Sequence, residues 1–273
     1  MVERVETVSV PADRTEGTAA VAAPLAMAAI VTLACWAATA YSAAAMSGTM
    51  PMPGGWNMSM AWMRMPGQSA LGAAVMFLVM WQVMMVAMML PSALPMALLY
   101  RGLAASRRAR GVPAPPAAVL LTGYFATWLL FGLVAYVFGV GLSALAMRSE
   151  PVSRIIPAAT GLALVLAGIY QLTPWKQLCL THCRSPLSFF AACWKPGWWG
   201  TLRLGVHHGA YCAGCCWALM LIQLAIGVMN LPLMAALAGV IWIEKTWRHG
   251  PRMAPAAGWA AIASGAAITA GLL

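Results

Sequence analysis

Residues 69–100 read SALGAAVMFLVMWQVMMVAMMLPSALPMALLY and contain no charged side chain. A helix of about 20 apolar residues crosses the hydrocarbon core of a bilayer, which is roughly 30 Å thick. The stretch is therefore long enough to cross a membrane. Its length and composition predict a transmembrane helix.

The composition of the whole chain agrees with this prediction. Of the 273 residues, 62% are hydrophobic and 8% are charged, and the mean hydropathy is +0.80, whereas soluble domains carry about 25% charged residues. Charged side chains are too few to cover the surface of a water-soluble globule, so a water-soluble globular protein is excluded. The net charge of +10 comes from 16 Lys and Arg residues in separate short segments, so no nucleic-acid-binding face is predicted.

Other apolar runs are also long enough to cross a bilayer. They lie near residues 20–46, 117–147, 155–173, 206–228, 230–247 and 255–273. Together with residues 69–100 they predict an all-α fold, a polytopic transmembrane helix bundle of about seven spans. The run at 230–247 is the shortest, so six spans plus a re-entrant segment is the alternative. Residues 1–19 are predicted to be a disordered cytoplasmic tail, and residues 20–273 the transmembrane helical domain.

The basic residues predict the orientation of the bundle. With the N-terminus in the cytoplasm and the C-terminus outside, 13 of the 16 Lys and Arg residues fall on the inner side. This matches the rule that positively charged loops stay in the cytoplasm. Residues 46–67 then form an outer loop, and residues 174–205 form an inner loop.

The outer loop is rich in methionine, with seven methionines in residues 46–65. Neutral thioethers bind Cu(I) in preference to hard cations. We predict that Cu(I) is captured here, and the methionines chosen as ligands are Met50, Met52, Met58 and Met60. The alternative is that these side chains only contact lipid or cover helix ends.

Methionine continues into the second span. Met76, Met80, Met84 and Met88 recur every four residues, which places them on one helix face. Five methionines of this span are predicted metal ligands: Met80, Met84, Met85, Met88 and Met89. Flexible methionines also fill gaps in apolar packing, which is the structural alternative. Pro91 and Pro95 are predicted to break helix hydrogen bonds near the inner end of the span and to free carbonyl groups there.

Cysteine and histidine gather around the entry to the fifth span. The predicted ligands in this inner cluster are Cys179, His182, Cys183, His207, His208, Cys212, Cys215 and Cys216. Thiolates bind Cu(I) and Zn(II) strongly. Packing of small apolar cysteines and redox exchange of the thiols are the alternatives. Cys35 stands alone in the first span and is predicted to be a core residue.

Glu244 is the only acid after Glu150. It is predicted either to pair with the adjacent Lys245 or to face the bundle as a metal ligand or proton acceptor. No nucleotide-binding motif and no pair of carboxylates placed for acid–base catalysis occurs in the sequence. An ATP-driven pump is therefore excluded, and no catalytic residue is predicted.

Four segments together resemble one bacterial family. Residues 81–95, 168–186, 211–220 and 227–231, with Glu244 and Lys245, resemble the family of predicted metal-binding integral membrane proteins, a family of unknown function associated with copper handling. The resemblance implies a metal site and a bacterial inner membrane location. The vicinal Cys215 and Cys216 also resemble mercury-uptake membrane proteins, from which the spacing and the number of spans differ.

These observations predict a membrane copper-handling protein. Cu(I) would be captured by the outer loop and transferred through the bundle to the inner Cys/His cluster, and Zn or Hg is the other possible cargo. The first alternative is a non-transporting accessory or assembly subunit of a copper membrane enzyme complex. The second is a membrane thiol oxidoreductase or mercury-uptake protein. Besides the lipid bilayer, the expected partner is a soluble metallochaperone or that larger enzyme complex.

Overall fold

The computed structural model describes residues 14–46 and 48–272, which are mostly helical. The helices in chain order are α1 (Arg14–Ala45), α2 (Ala70–Ala109), α3 (Ala117–Arg148), α4 (Glu150–Gln171), α5 (Pro174–Arg184), α6 (Pro186–Cys193), α7 (Gly197–Ile226), α8 (Leu231–Thr246) and α9 (Met253–Thr269). Between α1 and α2 lie the strands β1 (Thr49–Met52) and β2 (Trp56–Ser59). The predicted all-α bundle is confirmed, with this small hairpin added.

Within the described residues, five helices are long and apolar enough to cross a membrane. They are α1 over Val21–Ala45, α2, α3, α4 and α7. α8 and α9 have 16 and 17 residues, and at 1.5 Å per residue they reach only about 24–26 Å. The number of crossings therefore stays a prediction: five long helices are present, and the last two predicted spans are short.

Two boundaries differ from those predicted. Residues 1–13 of the predicted tail lie outside the described residues, and the chain is already helical from Arg14. The predicted inner loop, residues 174–205, is also largely helical. Its first helix begins because the Thr173 hydroxyl accepts a hydrogen bond from the Lys176 N–H and Pro174 occupies the first helical position, which is a strong start signal.

The prolines of α2 do not interrupt the helix. α2 is continuous from Ala70 to Ala109 and contains both Pro91 and Pro95. The Ser92 hydroxyl donates a hydrogen bond of 2.9 Å to the Met89 carbonyl oxygen. Proline has no N–H, so the carbonyl oxygens of Ala87 and Pro91, four residues earlier, receive no helical hydrogen bond from Pro91 and Pro95.

The hairpin caps one end of the bundle, which we call the hairpin end. Its turn needs Gly54 and Gly55, whose φ angles are +100° and +77°. The Trp56 indole donates a hydrogen bond of 3.0 Å to the Ser153 carbonyl oxygen, and the Ser153 hydroxyl donates one of 2.7 Å to the Pro53 carbonyl oxygen. These bonds fix the hairpin on the start of α4.

Glycines allow the closest helix contacts. α4 packs against α9, where Gly168 faces Gly258 and Gly161 faces Gly265. α3 packs against α7 in the same manner at Gly123, Gly205 and Gly209. Small residues let helix backbones approach each other in this way.

Replacing Gly168 by alanine is expected to destabilise the bundle. The new Cβ would lie 2.6 Å from the Gly258 carbonyl oxygen and 2.9 Å from the Ile262 nitrogen, so α4 and α9 must separate at a cost of about 1–3 kcal/mol. Thermal unfolding in detergent measures the loss. Gly239→Ala in α8 is the matched control, because its Cβ would meet nothing within 4 Å. Equal melting temperatures for the two variants would contradict the packing described.

Candidate metal centre

Sulfur atoms from three helices share one buried cluster. We call this set the sulfur core; its members, all at most 1% exposed, are Met84, Met85, Met88 and Met89 of α2, Cys212, Cys215, Cys216 and Met220 of α7, and Met234 of α8. The methionines of α2 that were predicted as ligands from the sequence thus lie in the same cluster as three of the predicted cysteines. Partly buried Met80, Cys179 and Cys183 pack against it.

Two pairs of thiols lie close to the spacing of ligands on a shared ion. The sulfurs of Cys215 and Cys216 are 3.4 Å apart, and those of Cys183 and Cys215 are 3.9 Å apart. Two thiolates bound tetrahedrally to one metal at about 2.3 Å lie roughly 3.8 Å from each other. All seven cysteines are free thiols. Because Cys183 belongs to α5, this chain of contacts joins α5 to α7.

The thiols are not arranged as a closed cage. Among the described residues, no group of three or more His, Cys, Asp or Glu side chains forms a ready metal site. The thiols of Cys183, Cys215 and Cys216 are in contact only in pairs. Thioethers of the surrounding sulfur core can complete the coordination, since soft ligands of both kinds bind Cu(I).

Cys212 has a different environment from its two neighbours. The Lys245 ammonium group lies 2.8 Å from the Cys212 sulfur and 3.5 Å from the Ser92 hydroxyl oxygen. The Tyr124 hydroxyl is 2.9 Å from the same sulfur. An ammonium group and a hydroxyl around one sulfur favour its thiolate form, which is the form that ligates metals. Sequence reasoning missed Lys245 and Tyr124, because nothing in the local pattern pairs them with Cys212.

The histidines lie in separate places. His208 is 4% exposed, and its ring lies 5.7 Å from that of Tyr124 and 5.6 Å from that of Phe189. His207 is exposed on the same helix. His182 stacks on Tyr211 with ring centroids 4.4 Å apart. The predicted metal-binding roles of the three histidines stay predictions.

Cys179 lies at the edge of the sulfur core. It is half-buried on α5 and faces Gly214 of α7, where an added Cβ would lie 2.9 Å from its sulfur. Burial raises the pKa of the Cys179 thiol. The neutral thiol must therefore lose a proton before it can bind a metal.

Glu244 faces the bundle, but its partner is not Lys245. Both carboxylate oxygens accept hydrogen bonds from the Lys176 ammonium group, at 2.8 and 2.9 Å, and both side chains are at most 1% exposed. The same ammonium group donates to the Gln171 side-chain oxygen, and Arg184 donates to the Glu244 carbonyl oxygen. The predicted local pair with Lys245 is replaced by a buried ion pair between α5 and α8. Metal ligation by Glu244 stays a prediction.

The methionines predicted in the outer loop divide into two groups. Met52 and Met58 are buried with Ala146 in a small apolar cluster under the hairpin, and Met50 packs against it. The hairpin therefore has a core of its own, which differs from the predicted outer loop. Met60 lines a pocket between the hairpin end and α2, and Met80 lines the same pocket.

Comparison with known proteins gives the family. No curated protein and no solved structure matches the chain. A family model described as PpoB2, copper chaperone, matches residues 78–268, which is more than two thirds of the chain. The matched region includes the sulfur core, Lys176, Glu244 and Lys245. Copper handling, as predicted from the sulfur pattern, is confirmed, and the chain belongs to this copper chaperone family.

Proposed function

We propose that the protein takes up Cu(I) at the hairpin end, passes it along the methionines of α2, and holds it at the thiols of α7 for delivery to a partner. The observation that carries this proposal is the sulfur core, where methionines of α2 and cysteines of α7 are buried together. Apolar packing alone does not require sulfur at so many neighbouring positions, since leucine fills similar volume.

The donor types select the ion. Thioethers and thiolates bind Cu(I) and other soft ions, whereas Mg²⁺ and Ca²⁺ need oxygen ligands. The only carboxylate of α8, Glu244, is held by Lys176. The core therefore suits a soft, weakly hydrated cation.

The spacing of the methionines supports stepwise movement. Met80, Met84 and Met88 each lie one turn apart, so successive sulfurs are separated by about 6 Å along the helix. Met80 is half-buried and Met84 and Met88 are fully buried. Thiolates bind Cu(I) more strongly than thioethers do, and Cys215 and Cys216 become thiolates by releasing their protons as the ion binds. The ion therefore moves toward them without an energy source.

The position of the thiols on α7 concerns both the partner that would receive copper and the redox alternative. A soluble metallochaperone or a copper membrane enzyme complex would take the ion from the thiols. For the redox alternative, a disulfide between Cys215 and Cys216 would be strained, because adjacent Cα atoms are about 3.8 Å apart and ordinary disulfides need roughly 4.4–6.8 Å.

Leucine at both Met84 and Met88 is expected to slow copper loading at least tenfold while leaving the final stoichiometry unchanged. Leucine keeps the volume but removes the thioethers. Stopped-flow mixing of detergent-solubilised protein with a coloured Cu(I) chelate measures the rate. The control is Met27→Leu with Met147→Leu, since both methionines are exposed on the bundle surface. Loading as fast as in the unchanged protein would defeat the pathway.

Holding and translocation are separated by a second experiment. Protein is reconstituted in liposomes that contain a Cu(I) chelator, and Cu(I) is added outside. If the protein only holds copper, copper uptake stops when the binding capacity of the protein is reached. Continued accumulation inside the liposomes would instead establish transport across the membrane.

A further inference from the structure

The pocket at the hairpin end is lined by methionines from three segments of the chain. We call it the methionine pocket; its methionines are Met46, Met60, Met63, Met65, Met76 and Met80. Its volume is about 40 Å³, and a cavity needs only about 10–15 Å³ to hold one water molecule. The space therefore accommodates an ion with its ligands around it.

Exposure decreases from the rim of this pocket to its floor. Met76 and Met65 are 62% and 47% exposed, whereas Met60 and Met80 are half-buried. One turn beyond Met80, Met84 is completely buried in the sulfur core. The methionine pocket is thus the place where a thioether surface open to the surroundings meets the buried methionines of α2.

The lining chemistry suits a soft monovalent cation. All lining residues belong to the described part of the chain, and none of them is an acid. Hard divalent cations would find no carboxylate there. The one charged lining residue, Arg64, is exposed, where water screens its charge.

Aromatic and amide groups hold the pocket in shape. The ring of Phe77 lies 5.3 Å from that of Trp62 and 5.0 Å from that of Tyr136. Aromatic faces also attract cations. The Gln68 amide nitrogen is 3.7 Å from the Met76 sulfur, so an amide from outside α2 orients the thioether nearest the surroundings.

We infer that the methionine pocket is the loading site for Cu(I), with thioethers of Met60, Met63 and Met76 as its first ligands and Met80 as the exit toward the sulfur core. This inference rests on the proposed function and assigns its entry. It separates these methionines from Met52 and Met58, which fill the core under the hairpin.

The test uses the full chain in detergent with ¹³C-labelled methionine methyl groups and Ag(I), a redox-stable soft cation, as the probe. Single Met→Leu variants assign the signals. Once the thiols are filled, further Ag(I) is expected to shift the methyl signals of Met60, Met63 and Met76. The signals of Met52, Met58 and Met27 serve as internal controls. The inference is overturned if the pocket signals stay unmoved to saturation or move no more than those controls.

A kinetic experiment complements the spectra. The triple variant Met60→Leu, Met63→Leu and Met76→Leu is expected to load the thiols with Cu(I) at least tenfold more slowly, and to reach the same final stoichiometry. Unchanged loading overturns the inference. If the thiols bind no metal while the methyl signals of the pocket methionines still shift, the proposed function is contradicted instead. The two failures are therefore distinguishable.

Discussion

Replacing Cys215 and Cys216 together by serine is expected to lower the affinity for Cu(I) at least about a thousandfold, which corresponds to about 4 kcal/mol. Their sulfurs are 3.4 Å apart, completely buried and linked to Cys183. Serine keeps the shape of the side chain but supplies no soft ligand. Competition with a coloured Cu(I) chelator, performed on reduced protein in detergent, measures the change.

Controls for this prediction come from cysteines elsewhere in the chain. Cys35 lies on α1, and Cys193 packs in a separate cluster around Tyr100. Cys35→Ser and Cys193→Ser should bind Cu(I) as the unchanged protein does. If these controls weakened binding as much as the double variant, a copper centre at Cys215 and Cys216 would be ruled out.

Glu244→Ala is expected to cost about 3–5 kcal/mol of stability, because it leaves the buried Lys176 ammonium group without its carboxylate. Thermal unfolding in detergent measures the change. In the double variant Lys176→Met with Glu244→Leu, most of the loss should be recovered, since no unpaired charge remains.

The chain also offers a matched ion pair at its surface. Glu150 and Arg154 are 2.6 Å apart, with side chains 60% and 68% exposed. Glu150→Ala should cost no more than about 1 kcal/mol, because exposed pairs contribute little. A loss equal to that of Glu244→Ala would show that burial does not determine how much these ion pairs contribute to stability.

Copper binding by the double variant Lys176→Met with Glu244→Leu decides whether Glu244 is a ligand. Full copper stoichiometry in this variant would exclude Glu244 as a ligand.

Much of the fold follows from local sequence. The run at 69–100 predicts α2, and the methionine period places Met76, Met80, Met84 and Met88 on one face. That face is buried at Met84 and Met88 and exposed at Met76. α2 continues to Ala109 beyond the apolar run because Arg107 and Arg108 are good helix formers and complement the helix dipole at its C-terminus. The hairpin lies within the predicted outer loop, where Pro53, Gly54 and Gly55 are turn residues.

The partners of the charged groups could not be predicted. Lys176 and Glu244 are separated by 68 residues, and Cys212 and Lys245 by 33. Such pairs depend on how α5, α7 and α8 pack together, and adjacent residues in the sequence gave the wrong partner for Lys245. The cysteine pattern did indicate the thiols that lie together, because Cys212, Cys215 and Cys216 share one helix.

X-ray absorption at the copper K edge of the copper-loaded protein tests the central claim most directly. The account predicts the edge of Cu(I) and a first shell of sulfur alone, with sulfur ligands lost in the Cys215→Ser, Cys216→Ser variant. A first shell of nitrogen or oxygen, or a sulfur shell that the variant leaves unchanged, would contradict it.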